Sequence, residues 1–132
     1  MTLISSRRPL GEPAPELARG LGKVLVASAQ LAAVAGEVDA ASGVQPELER
    51  LDATRDRWRE VAAGMLELRE RIEAAAASMI FTGSSGEHLT IKGRDGVLIP
   101  ADAAYLSTLA RRMDRHARAG RVFAAVDAET VA

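Results

Sequence analysis

Four stretches of patterned hydrophobicity organise this chain, three with a helical period and one that alternates. Leu17, Leu21, Val24, Ser28, Leu31, Ala35 and Val38 recur at spacings of four and three, which puts them on one stripe of a helix. Pro15 suits the first turn of that helix, Glu16 complements the positive end of its dipole, and Gly43 suits a left-handed cap. An adjacent stripe, Ala18, Gly22, Leu25, Ala29, Ala32 and Gly36, is small apart from Leu25, so another backbone can approach it closely. Between Val24 and Gly36 the helix has almost no polar face, and burial on more than one side is expected.

The second pattern starts after Pro46 and meets no breaker until Gly83 except Gly64. Leu51, Thr54, Trp58, Val61, Met65, Leu68, Ile72, Ala75 and Met79 alternate by three and four, the heptad rhythm of a coiled-coil seam. The other positions are densely and evenly charged, with Glu67 placed four residues before Arg71 as on a solvated helix flank. A short connection predicts that the first two helices, within residues 15–81, fold back as an antiparallel hairpin.

Further on, Leu89 and Ile91 alternate with His88, Thr90 and Lys92, and Asp95-Gly96 signals a two-residue β-hairpin turn before a second strand that ends at Pro100. Residues 81–88 read as a flexible link. A last helix is expected from an N-cap at Ala101 or Asp102 to a glycine cap at Gly120, with Leu106, Leu109, Ala110, Met113 and Ala117 on its apolar side. The tail from 121 is compatible with a third strand or a short helix. Residues 1–14, with Arg7, Arg8, Pro9 and Pro13, read as an extended arm. The expected fold is mainly α: an antiparallel helical hairpin with a long coiled-coil-like second helix, then a small β-hairpin and a basic C-terminal helix, in segments 1–14, 15–81 and 86–132.

Composition narrows the chemistry. Hydrophobic residues make up 48% and charged residues 27%, which excludes disorder by composition, and the 3% aromatic content favours helix packing through small side chains over an all-β core. The absence of cysteine removes thiolate catalysis, disulfides and Cys-ligated metals. "SRRPL" at 6–10 looks like the start of an export signal, but Glu12, Glu16, Arg19 and Lys23 interrupt the approach to the apolar run, so no export is expected. That run is shorter than the roughly 20 residues of a membrane span, so no membrane partner is expected either.

Candidate chemistry is sparse. A net charge of −1 leaves nucleic-acid binding to a local patch, and the last helix supplies one in Arg111, Arg112, Arg115 and Arg118. The same arginines near a helix C-terminus are better explained as solvated partners of the dipole, since no aromatic residue is interleaved for stacking and no helix-turn-helix precedes them. His88 and His116 lack a ligand at metal spacing and read as exposed histidines. Ser84-Ser85-Gly86 lacks the Lys-Ser/Thr sequel of a phosphate loop, and the acids Glu47 and Glu49 sit in a balanced charged face. No catalytic residue, cofactor or metal site is expected.

The hairpin's Gly96, Val97, Ile99 and Pro100 resemble the looped-hinge hairpin of AbrB-like and MazE-like transcription factors, which implies a DNA-binding dimer. The likeness covers the hairpin alone. The family's basic residues after the proline are replaced by Asp102, Ala103, Ala104 and Tyr105, so it reads as convergence on a strand-proline-helix junction.

The function expected is that of a non-enzymatic oligomeric assembly protein, cytoplasmic or part of a larger particle such as a phage virion, with itself or other structural proteins as partners. Its self-association residues are expected to be Leu21, Val24, Leu25, Leu31, Trp58, Met65, Leu68 and Ile72. The alternative is a DNA-binding regulator using the basic helix.

Overall fold

A computed structural model describes residues 12–41 and 49–131, with side chains at 12–40 and 53–124. Most of the expected arm, the Pro46 helix start, Gly43, Glu47 and Leu51 therefore lie outside the described backbone or side chains. Helices α1 (Pro15–Ala41), α2 (Glu49–Ala77) and α3 (Ala103–Val131) accompany a small antiparallel sheet of β1 (Phe81–Thr82), β2 (His88–Lys92) and β3 (Leu98–Ala101), in the order β1-β2-β3. The chain is mainly helical, as its periodicities predict.

The core forms where α1 meets α3. Leu17, Val24, Leu31, Val34 and Val38 of α1 are buried together with Leu106, Leu109, Ala110, Met113 and Ala117 of α3, the five residues expected on that helix's apolar side. The two helices run parallel, since Gly20 lies against Leu106 near their starts and Val34 lies against Gly120 further along. Ser28 is buried in the same stripe because its hydroxyl donates to the Leu25 carbonyl of its own helix at 3.0 Å, leaving no polar atom unpaired. α3 is the main neighbour of α1, and α2 touches both less extensively.

Gly120 does not cap α3. The helix continues through it to Val131, which settles the tail as helical, and the reason for the glycine is space. A Cβ there would fall 2.6 Å from Val34 Cγ1 and closer still to the Trp58 ring. Trp58, on α2, donates its indole N–H to the His116 carbonyl at 2.8 Å, while His116 Nε2 lies 2.8 Å from the Trp58 carbonyl. The two rings stack with centroids 4.7 Å apart and planes 4° from parallel. His116 is thus half-buried in a reciprocal clamp, not an exposed histidine, and the clamp fixes α2 to the α1–α3 pair.

α2 turns its face slightly from the expected seam. Trp58, Met65 and Ile72 point inward as the heptads require, but Arg55 and Ala62 are buried while Thr54 and Val61 are exposed. A nearly straight helix at 3.6 residues per turn drifts off a strict heptad in this way. The helix ends before Gly83. Ile80 N donates to Ala75 O at 3.2 Å and Met79 N to Ala76 O at 3.0 Å, a Schellman cap with Met79 at φ 55° in the position glycine usually takes. Met79 is therefore 64% exposed and leaves the seam.

The segment expected as a flexible link is structured. Phe81 and Thr82 pair with Leu89 and His88, so the hairpin is part of a three-stranded sheet, and His88 is half-buried. Gly86 has φ 70°, its carbonyl accepts from Ala14 N at 3.0 Å, and its Cα faces the Glu12 carbonyl so closely that no side chain fits. The β2–β3 turn also differs from expectation. Gly93 and Val97 close a three-residue loop, with Gly96 alone at positive φ (81°) and Asp95 Oδ1 accepting from Val97 N. A two-residue primed turn would need Asp95 at positive φ as well. Leu89 and Ile91 face the core and Pro100 sits on the edge strand, where it removes no ladder bond from a neighbour. Asp102 caps α3, its carboxylate accepting from Tyr105 N at 2.8 Å.

Two glycines give opposite expectations. Gly120→Ala is expected to destabilise by about 1–3 kcal/mol because the methyl overpacks the Trp58–Val34 contact. Gly64→Ala, which meets open space on α2, should stabilise by about 0.5–1 kcal/mol. Urea titrations of the two variants check this; a stabilised Gly120→Ala would contradict the packing account.

Candidate functional site

The surface of α1 divides into three sectors at roughly 100° per residue. One is buried against α3 and α2. A narrow polar sector carries Arg19, Lys23 and Gln30 beside α3. The third, about a third of the circumference, holds Ala18, Gly22, Leu25, Val26, Ala29, Ala32, Ala33 and Gly36, and every one of these is exposed. Leu25 is 41% and Val26 63% exposed, and nothing approaches within 4 Å of where Gly22 or Gly36 would carry a Cβ. The small-residue stripe read from the sequence is thus open over its whole length.

The residues expected to self-associate fall into three groups. Val24, Leu31, Trp58 and Ile72 are buried within the chain, Leu21, Met65 and Leu68 are half-buried, and Leu25 alone lies on the open sector. Hydrophobicity and period single out all eight; which are spent on internal packing depends on the parallel α1–α3 pairing, which joins segments far apart in sequence. Val26 and Ala33, missed by the stripe as read, widen the open face.

Contrary to the expectation that its apolar run is too short for a span, α1 is by length and composition apolar enough to cross a membrane, because the charges before the run do not lower its mean hydropathy enough. Apart from Leu25 and Val26, however, its large side chains face inward, and its outer sector is mostly Ala and Gly. Small residues characterise contacts between helices, whereas lipid-facing positions favour bulk.

Arg111, Arg112, Arg115 and Arg118 are all exposed on the outer ridge of α3. Arg111 also lines a groove of 770 Å³ between α1 and α3, opposite Arg19 and Lys23. Arg112 and Arg115 border a smaller recess of 300 Å³ beside Met65 and His116. Among the described residues no three His, Asp or Glu side chains come together as a metal site.

The strongest electrostatic contact is elsewhere. Glu67 on α2 accepts from Arg71 at 2.9 Å and from both Nε and Nη2 of Arg94, in the β2–β3 turn; Arg71 also donates to the Lys92 carbonyl at 2.7 Å. These bonds, Arg94 first and Arg71 second, hold the Glu67 carboxyl down at about 2. The expected Glu67–Arg71 pair is present, and it serves to fasten the sheet to α2. No family model, curated protein or solved structure matches this chain.

A carboxyl whose pKa is lower in the folded chain contributes stability above its unfolded pKa and loses it as pH falls toward the folded value. The advantage of the wild type over Glu67→Gln is therefore expected to be constant above pH 5 and to vanish between about 4.5 and 2. Thermal midpoints of the two proteins across that range measure it. Parallel curves would show that the cluster does not hold the sheet.

Proposed function

We propose that this chain is a non-enzymatic assembly module that binds further copies of itself through the outer sector of α1. The observation that supports this most is the exposure of the whole small-residue sector, Ala18 to Gly36, on a helix whose other apolar side is already covered. Apolar surface of that extent is a liability in a monomer and characterises interaction sites. A second copy of α1 fits it. The sector carries no charge, so two copies do not repel across it, and Gly22 and Gly36 allow their backbones to approach closely.

Coiled-coil-like pairing of α2 is the finer part of the same reading. Thr54 and Val61 are exposed at heptad positions, and a neighbouring rod packed there would extend the contact beyond α1. The antiparallel α1–α2 hairpin would then act as the repeating unit of a larger particle such as a virion.

Light scattering across a dilution series is expected to give more than one chain mass at micromolar concentration, falling on dilution. Leu25→Glu with Ala29→Glu should yield a monomer with an unchanged melting temperature, since both positions are exposed. Gly22→Ala with Gly36→Ala should raise the stability of the single chain by about 1 kcal/mol per site and yet weaken association. A wild-type monomer at all concentrations contradicts the proposal, and partition of α1 into lipid vesicles in place of self-association would assign the sector to a membrane.

A further inference from the structure

The cations of α3 do not stand alone. Arg19 and Lys23, one turn apart on α1, face Arg111 across the α1–α3 groove; Ser107 and Gln30 add uncharged polar groups to its walls, and Gly22 and Val26 of the open sector form its lip. Arg115 and Arg118 continue the positive surface along the stripe of Arg111, and Arg112 and Arg121 flank that stripe on its two sides, all of them exposed. Among the described residues none of these seven cations makes an ion pair, although Arg59, Arg69, Arg71 and Arg94 all do. Acids border this surface too: Asp114 in the groove, Glu16 at its end and, further along the polar sector of α1, the exposed Glu37. Sequence reading located the α3 arginines; the contribution of α1 becomes visible only through the parallel pairing.

We infer that this groove and ridge bind the phosphate backbone of double-stranded nucleic acid. From Arg111 to Arg121 the helix rises about 15 Å, a length over which a duplex presents about nine phosphates. A small phosphorylated ligand would engage only one or two of the seven cations, whereas a duplex backbone matches their spread. Guanidinium forks suit phosphate oxygens, and six of the seven cations are arginine. The aromatic side chains among the described residues are all buried or half-buried, so no stacking platform for single-stranded bases is exposed. Contacts from arginine and lysine to phosphate carry no sequence information, and the contact is therefore indifferent to sequence.

The test is fluorescence anisotropy of a labelled 20-base-pair duplex with the full chain at increasing salt. Affinity is expected to fall by roughly two to three orders of magnitude between 50 and 200 mM salt, as for five or more phosphate contacts. Arg19→Glu with Lys23→Glu should weaken binding at least tenfold and reduce the log–log salt slope by about 2. Arg111→Glu with Arg115→Glu should do the same, while Arg57→Glu, an exposed charge reversal on α2, should leave the slope within about 1 of the wild type. All these positions are exposed, and melting curves verify that each variant is folded. The inference is overturned by absence of binding at low salt, by an unchanged slope in the Arg19/Lys23 variant, or by competition from polyglutamate as effective as that from unlabelled duplex. The mass of the wild type in the same samples is a separate reading, so failure here leaves the assembly proposal standing.

Discussion

The parallel contact between α1 and α3 is the constraint on which the remaining structure depends. It consumes the larger side chains of α1, brings two segments together from the two ends of the described chain, and demands near-absent side chains at its crossing points. Gly20 admits Leu106, with the position of a Cβ only 3.0 Å from the leucine Cβ, and Gly120 admits Trp58 and Val34. Close packing of this kind gives a core in which, among the described residues, Trp58 is the one buried aromatic side chain. That single ring then joins α2 to the α1–α3 pair, through its stack and paired hydrogen bonds with His116.

From this arrangement the surface follows. With the wide side chains of α1 turned inward, what remains outward is a band of Ala and Gly with Leu25 and Val26, and a narrow polar band that forms one wall of the groove. The apolar band and the positive groove are therefore two products of one packing decision. The sheet contributes less to either face. It closes the end of the core with Leu89 and Ile91 and is fastened to α2 by Glu67, Arg71 and Arg94.

Much of this was legible in the residues. The apolar side of α3, the inward pair Leu89 and Ile91, the Asp102 cap and the Glu67–Arg71 pair all follow local rules, periodicity of 2 or 3.6 and fixed offsets, and the structure has each of them. What failed was reading glycine by position alone. Gly120 looked like a stop and is a close-packing site, Gly83 looked like the end of α2 and the stop is Met79, and Asp95-Gly96 looked like a two-residue turn and closes a three-residue loop. A glycine's role depends on what approaches it, which is tertiary information. The same limit explains the candidate surface: the small-residue stripe and the α3 arginines were visible, but Arg19 and Lys23 join those arginines only once the two helices lie side by side.

The absence of cysteine allows the central claim, that a second copy covers the outer sector of α1, to be measured directly with one introduced thiol. Spin labels at Ala29→Cys, on the open sector, are compared with labels at Thr108→Cys, exposed on α3. Paired helices lie about 8–10 Å apart, so strong dipolar broadening is predicted at position 29, lost on dilution with unlabelled chain, with little at 108. An isolated, freely tumbling spin at position 29, at concentrations where the wild type would be assembled, would contradict the account.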